Sequence, residues 1–234
     1  MVAEDFSAGH YKLSFAVGDL FLNQGKAEAC DDELTVLRQN YPKEALYNLM
    51  NIVDSHDTVR AIYKFGGGQE NVAQATRQDF NYRLGKARLK LAAMFLMGYP
   101  GMPTIYYGDE AGVYGSADPD CRRTYPWGRE DKDLVEFYRQ VIAVRQQHKQ
   151  LFAHGEVETL LAKGDVYAFA RTNDKGEAAV IVLNRGKDTD VELPAAFAAD
   201  GTVLTDQLTG QAAMVSEGRI KLHLNPNQGL MLVK

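Results

Sequence analysis

The alternation of strand and helix patterns between residues 46 and 148 constrains the fold of this chain most strongly. A strand is predicted over 46–53, an amphipathic helix over 83–97, a short strand over 104–107 and a second amphipathic helix over 131–148. A β-α-β-α series builds a parallel sheet, because each helix returns the chain to the starting edge of the sheet. The pattern fits a (β/α)8 barrel and a doubly wound sheet equally well.

Two further helices are predicted before this series. Apolar residues recur at helical spacing over 11–25, where the pattern ends at Gly25. A second helix begins near residue 27 and ends before Pro42. Glycine and proline at these places are typical helix terminators.

The pattern changes near residue 150. From there to the C-terminus, short alternating apolar runs are separated by turn residues at the intervals of about 8–12 residues that are typical of a β-sandwich. Residues 174–176, Asp-Lys-Gly, predict a hairpin turn between two of these runs. The fold class is therefore α/β over residues 1–150, followed by an all-β antiparallel sandwich over 151–234.

Composition excludes several function classes. The 26 basic and 31 acidic residues give a net charge of -5, which offers no basic surface for nucleic acid or an anionic membrane. The longest apolar run, near residues 89–101, is shorter than the ~18 residues that a membrane-spanning helix needs. Residues 1–13 lack the features of a signal peptide, so we expect a soluble chain whose compartment is not predicted. Cys30 and Cys121 are too few and too distant for a disulfide framework and predict two reduced thiols.

Polar clusters follow both predicted strands of the parallel sheet. The first cluster is Asp54-Ser55-His56-Asp57 and the second is Gly108-Asp109-Glu110. In both candidate folds, functional groups lie just beyond the C-terminal ends of parallel strands, so the clusters predict a site there. Taken alone, the first cluster is typical of a turn or cap, and the second could cap a helix. His56 and Asp57 lack a third ligand at metal spacing, and Gly66–Gly68 lacks the Lys-Ser/Thr of a phosphate loop, so neither a metal nor a cofactor is expected.

Three segments together resemble the α-amylase family of glycoside hydrolases. "NIVDSHDTVR" is similar to the fourth signature of that family, and "LAAMFLMGYPGMPTIYYGDEAG" to its last barrel helix, turn and strand. "DPDCRRTYPW" resembles a substrate-binding loop of the neopullulanase, cyclomaltodextrinase and maltogenic amylase group. The resemblance covers residues 10–234 in order. It implies the C-terminal part of a (β/α)8 TIM barrel, with about two strands, in residues 1–150, and the family's C-terminal sandwich in 151–234.

The resemblance also implies roles for individual residues. Asp57 is the carboxylate that stabilises the transition state by binding sugar hydroxyls, and His56 donates hydrogen bonds to the sugar. Such contacts accelerate a reaction only if they strengthen in the transition state. Asp118 and Arg122 match residues that hold a neighbouring glucose, and Arg60 is a substrate-binding or supporting residue. Trp127 fits the core better than a sugar platform.

The retaining mechanism of the family needs two further carboxylates, a nucleophile and a general acid/base. The G-x-R-x-D segment that carries the nucleophile in the family is absent from this sequence. The resemblance therefore implies a C-terminal part of a retaining glycoside hydrolase that acts on α-glucans such as cyclodextrins, pullulan or starch oligosaccharides, and that is inactive alone.

The implied partners are an α-glucan oligosaccharide and the missing N-terminal part of the same enzyme. Open strand edges also favour a homodimer or aggregation. Two alternatives stay open: a glucanotransferase of the same family, and a non-catalytic carbohydrate-binding or structural fragment. The all-β region contains no tryptophan, which weakens the carbohydrate-binding alternative.

Overall fold

A computed structural model describes residues 12–234 of the chain. Residues 1–11, which include the first residue of the predicted helix over 11–25 and most of the segment searched for a signal peptide, lie outside the described part. The helices are a π-helix Phe15–Asn23, α1 Ala27–Asn40, α2 Lys43–Leu46, α3 Ala61–Phe65, α4 Tyr82–Gly98, a 3-10 helix Asp120–Arg122, α5 Lys132–Gln147 and α6 Lys149–His154.

The two long helices of the predicted series are confirmed, α4 for 83–97 and α5 for 131–148. Each is capped by the side chain just before its first residue: Asn81 Oδ1 accepts from the Leu84 backbone N–H at 3.0 Å, and Asp131 Oδ1 from that of Leu134 at 3.2 Å. Such caps satisfy donors that a helix N-terminus leaves free. The segment after residue 12 is helical as expected, but over Phe15–Asn23 it is a π-helix, a type that apolar spacing does not distinguish.

A parallel pair of strands forms in this region, but both strands are short and their bounds differ from the predicted ones. Strands β1 Met50–Asn51 and β2 Met102–Pro103 pair in parallel, with Met50 opposite Met102. The predicted strand 46–53 is thus corrected at both ends, and the predicted strand 104–107 is wrong, because the pairing lies just before it. A parallel ladder extends only where a neighbouring strand offers hydrogen bonds, and each of these strands has one neighbour among the described residues.

The C-terminal region forms one antiparallel sheet of eight strands. The strands are β3 Glu156–Lys163, β4 Val166–Thr172, β5 Ala178–Asn184, β6 Thr189–Pro194, β7 Val203–Asp206, β8 Ala212–Ser216, β9 Arg219–Leu224 and β10 Gly229–Val233. Their order is β3-β4-β5-β10-β7-β8-β9-β6. The outer strands β3 and β6 approach each other, so the sheet is nearly barrel-shaped, where two separate sheets of a sandwich were expected.

Sequence patterns located most of these strands. The hairpin turn at 174–176 is confirmed, with Gly176 at a φ of 75°. Strand β8 was not predicted, and the last predicted run, 219–234, divides into β9 and β10. The connection between them holds Asn227 at a φ of 52°, a left-handed conformation that asparagine tolerates.

Two hydrophobic cores flank the central strands of this sheet. Inside the curled sheet, Val180, Leu222 and Leu232 are among the buried side chains of the first core. On the outer face, Phe169 and Ile181 join the core formed by the helices. Strands β4 and β5 are therefore buried on both faces, which explains their continuous apolar sequences.

The two cysteines are both free, and the structure places both in buried positions. Across residues 12–234, no helix combines the length and apolar character needed to cross a membrane.

Candidate active site

The loops that follow β1 and β2 contact each other directly. The Arg60 backbone N–H donates to the Gly115 carbonyl at 3.1 Å, and Cys121 Sγ donates to the His56 carbonyl at 3.2 Å. Both loops start at the C-terminal ends of the two parallel strands, where the sequence predicts the site. The polar clusters of the two segments are thus brought to one edge of the parallel sheet.

Four of the predicted side chains form a continuous set of polar contacts, here named the rim cluster: His56, Asp57, Asp118 and Arg122. Arg122 links the two carboxylates, with Nη2 at 3.3 Å from Asp57 Oδ1 and Nε at 2.5 Å from Asp118 Oδ1. His56 Nε2 lies 3.2 Å from Asp57 Oδ2. The side chains of His56 and Asp57 are 60% and 52% exposed, so the cluster remains open to a ligand.

The backbone beneath the rim cluster is held in a defined turn. Thr58 Oγ1 accepts from the Ser55 backbone N–H at 2.8 Å, and Ser55 Oγ accepts from that of Asp57 at 3.2 Å. Short side-chain bonds of this kind fix a turn without regular secondary structure. The Ser-His-Asp triplet is therefore a turn, as its isolated pattern indicates, and this turn presents Asp57 beside Arg122.

Arg60 lies under the rim cluster and is fully buried. Its guanidinium donates to the Cys121 carbonyl at 2.7 Å and to the Tyr107 carbonyl at 2.6 Å, and it stacks on the Tyr106 ring at 3.9 Å from the centroid. An enclosed guanidinium cannot contact a substrate, so the substrate-binding role predicted for Arg60 is corrected. Its contacts make it a support that joins the two loops.

Asp54 and Asp109 form a buried carboxyl pair next to Arg60. Arg60 Nη1 lies 3.4 Å from Asp109 Oδ1, and Asp54 Oδ2 accepts from the backbone N–H of Ala61, the first residue of α3, at 2.7 Å. Burial, and then the adjacent Asp54 carboxylate, raise the pKa of Asp109 well above its usual range. Burial also raises the pKa of Asp54. Two like charges this close share a proton more readily than they both ionise.

The sequence assigned neither of these two acids an individual role. Asp54 accepts from the first backbone N–H of α3, although the N-cap position of that helix is occupied by Arg60. Asp109 does not cap a helix, because residues 109–112 form a turn, in which Glu110 Oε2 accepts from the Gly108 backbone N–H at 2.9 Å. Both buried acids thus lie below the surface that carries the rim cluster.

Trp127 is 81% exposed, and its predicted place in the core is therefore wrong. Its ring contacts Tyr125, with 4.5 Å between the ring centroids. The signal that sequence analysis lacked is the turn formed by residues 126–129, which carries the indole away from the core.

A groove of about 1000 Å³ lies beside the rim cluster, and Arg122, Thr124 and Pro126 are part of its lining. Within the described residues, no three His, Cys, Asp or Glu side chains are placed to hold a metal ion.

No family model matches the chain. The amylopullulanase of Thermoanaerobacter thermohydrosulfuricus is 40% identical over 233 residues, which cover 94% of this chain and 16% of that protein. Neopullulanase 2 of Thermoactinomyces vulgaris is 36% identical over 93% of this chain and 34% of its own length. A solved cyclomaltodextrinase structure superposes with a TM-score of 0.78 at 30% identity, covering 95% of this chain and 36% of the other.

The chain therefore spans about a third or less of the length of two curated relatives that it matches. Those relatives and the structural neighbours are α-amylase-family enzymes. The resemblance to this family, in its neopullulanase and cyclomaltodextrinase group, is thus confirmed for the part of those enzymes that the chain spans.

Proposed function

We propose that the chain is the C-terminal part of a retaining glycoside hydrolase that acts on α-glucans such as cyclodextrins, pullulan or starch oligosaccharides. In this proposal, residues 1–150 are the end of a (β/α)8 barrel, with β1 and β2 as two of its strands, and residues 151–234 are the C-terminal β domain. The observation that carries the proposal is the rim cluster, which lies open at the C-terminal ends of two parallel strands, where barrel enzymes hold their active sites.

Each member of the rim cluster has a proposed role. Asp57 accepts hydrogen bonds from sugar hydroxyls, and these bonds strengthen as positive charge develops on the sugar ring. His56 donates to the same sugar. Asp118 and Arg122 bind the next glucose through charge-assisted hydrogen bonds. Arg122 also fixes the direction of both carboxylates, because it contacts each of them.

Within residues 12–45, three acidic side chains make contacts elsewhere in the fold. Among the acids of the first forty-five residues, Asp19 pairs with Lys64 at 2.5 Å and Glu28 accepts from the Gly164 backbone N–H at 2.9 Å. Asp31 accepts from Thr159 Oγ1 at 2.7 Å, at the contact of α1 with the β region. Each of these three acids has a partner outside the rim cluster, so we propose that the chain binds α-glucans but does not cleave them by itself.

Calorimetric titration of the chain with maltoheptaose, together with a product assay on the same samples, tests this proposal. We expect saturable binding without product. D57N and D118N should weaken binding, whereas D174N, a matched change in the exposed hairpin turn, should leave it unchanged. Absence of binding by the unaltered chain would contradict the proposed site, and sustained cleavage would contradict the missing nucleophile.

The exposed side of the short parallel pair supports a proposal about partners. Met50 and Met102, opposite each other on β1 and β2, are both about half exposed. We propose that this surface packs against the N-terminal part of the same enzyme, and that the chain alone forms a homodimer or aggregates through it. Light scattering over a concentration series tests this, and a monomer at every concentration would contradict it.

A further inference from the structure

We propose that Trp127 and Tyr125 form a stacking platform for an α-glucan, which extends the sugar site beyond Asp118 and Arg122. The two rings are here named the aromatic platform. This inference rests on the proposed function, because it assumes that an α-glucan occupies the rim cluster. It adds a binding element that acts through apolar contact, whereas the rim cluster acts through charge and hydrogen bonds.

The exposure of Trp127 is the first observation. At 81%, its indole is more exposed than any other large hydrophobic side chain of residues 12–234, of which Met214 comes next at 59%. An indole left in water keeps a large apolar area unburied, and large aromatic side chains that stay exposed are characteristic of binding surfaces. Burial of one indole face against a ligand would remove much of that area from water.

The backbone holds this indole in place. The Arg129 backbone N–H donates to the Pro126 carbonyl at 2.8 Å, which closes a turn with Trp127 at its second position. Gly128 occupies the third position with a φ of 75°, as a type II turn requires. Glu130 Oε1 accepts from the Gly128 backbone N–H at 2.9 Å and braces the same turn.

Tyr125 supports the indole from within the molecule. The Trp127 backbone N–H donates to the Tyr125 carbonyl at 3.0 Å, and the two rings are in contact. Tyr125 is partly buried, whereas Trp127 projects beyond it. A ring held by its backbone and by a neighbouring ring loses little conformational freedom when a ligand binds, which favours affinity.

The platform is close to the rim cluster along the chain. Trp127 is five positions from Arg122 in the sequence, so the two Cα atoms lie at most about 18 Å apart. Between them, Thr124 and Pro126 line the groove that also contains Arg122, whereas the two rings lie beside the groove and are not part of its lining. An oligosaccharide bound at Arg122 can therefore extend along this segment to the indole.

The chemistry of a glucose unit matches this surface. Each pyranose ring presents an apolar C–H face and a rim of hydroxyl groups. The exposed indole offers an apolar face to the C–H face of the sugar. Arg129 and Glu130, which follow Trp127 closely in the chain and line the groove, offer hydrogen-bonding partners to the hydroxyl groups.

Fluorescence titration of the intact chain tests the platform, because Trp127 is the single tryptophan of the sequence. We expect maltoheptaose to shift the emission to shorter wavelength, with a midpoint equal to the Kd from calorimetry. W127A should bind maltoheptaose about tenfold more weakly, as expected for loss of an aromatic contact. W127F should retain part of the affinity. M214A, which removes the next most exposed apolar side chain, should bind like the unaltered chain.

The outcomes separate this inference from the proposed function. Maltoheptaose binding that depends on Asp118 but leaves Trp127 fluorescence and W127A affinity unchanged would overturn the platform alone. Absence of binding by the unaltered chain would overturn both. A change in oligomeric state of W127A, without a change in affinity, would make the indole a protein contact and would also overturn the platform.

Discussion

The β region and the parallel strand pair of this chain differ in how many of their strands have hydrogen-bonded neighbours and buried faces. Strands β4 and β5 have a hydrogen-bonded neighbour on each side and are buried on both faces. Strands β1 and β2 have only each other within residues 12–234, and Met50 and Met102 remain about half exposed. Residues 12–234 thus contain one sheet of eight strands and one parallel pair.

The difference follows from the distance between pairing partners in the sequence. An antiparallel sheet can be completed by strands that succeed one another, such as β3, β4 and β5, through short turns. A parallel sheet needs a crossover of a dozen or more residues for each added strand. A segment of a barrel protein can therefore contain a whole antiparallel domain but only a fraction of the parallel one. In this chain, buried polar groups such as Arg60 join the loops that follow the two parallel strands.

The largest expected effect concerns Arg60, whose charge is the link between the two loops. R60M should lower the free energy of unfolding by about 3–5 kcal/mol, because it leaves a buried carboxylate without its cation. Urea unfolding followed by circular dichroism measures this.

Adding D54N to R60M provides the control. Asp54 belongs to the same buried carboxyl pair as Asp109, the carboxylate that loses its cation in R60M, so neutralising it removes the like-charge repulsion on Asp109 and the double variant should recover part of the loss. If R60M lowers the free energy of unfolding by less than about 1 kcal/mol, Arg60 contributes no more than an ordinary surface ion pair does. That result would contradict its supporting role.

The contact between the two regions should give the next largest effect. A Cβ added at Gly98 would lie 2.5 Å from Ile181 Cγ1 and 3.2 Å from Phe169 Cζ, both of them core atoms of the sheet. G98A should therefore cost about 1–3 kcal/mol of unfolding free energy through overpacking, measured by urea unfolding.

Gly229, the first residue of β10, offers a matched control, because it lies on the face of the sheet against which α4 packs. A Cβ there would lie 2.5 Å from Met94 Sδ, which belongs to a flexible side chain that can move aside. G229A should thus lower the free energy of unfolding by less than G98A does. If G98A is as stable as the unaltered chain, the helices and the sheet are not packed through this contact.

A smaller, pH-dependent effect is expected at Asp109. Its pKa is raised in the folded protein, so the folded state binds a proton that the unfolded state releases at lower pH. Its contribution to stability is complete below the ordinary pKa of aspartate, about 4, and is lost as the pH rises through the folded pKa. D109N keeps a donor next to Asp54 without titrating, so its stability relative to the unaltered chain should improve as the pH rises.

Urea midpoints measured across this pH range provide the test. D174N, in the exposed hairpin turn, should follow the unaltered chain at every pH. A constant difference between D109N and the unaltered chain would contradict the buried, proton-sharing pair.

The smallest effect on stability is expected at the rim cluster. Asp57 and Asp118 are about half exposed, and their ion pairs with Arg122 are open to water, which screens them. D57N and D118N should therefore leave the urea midpoint unchanged while they weaken glucan binding. A clear loss of stability in either variant would indicate that the cluster is a structural element instead of a ligand site.

Sequence patterns determined the elements that depend on local chemistry. Helices α4 and α5 were predicted from apolar periodicity and from the residues at their ends, and most strands of the β region from alternation and turn residues. The motifs around His56, Asp57, Asp118 and Arg122 also led to the family resemblance, because their order along the chain is a property of the sequence itself.

Tertiary structure alone decided the burial of polar and aromatic side chains and the extent of pairing. Arg60 and Arg122 are the same residue type on neighbouring loops, yet one is enclosed beneath Tyr106 and the other is exposed. Trp127 is exposed because a glycine-containing turn directs it outward, and β1 and β2 are short because few partners reach them. Burial and pairing depend on which distant segments arrive at a residue, and this is set by the packing of the whole chain instead of by the identity of its neighbours in sequence.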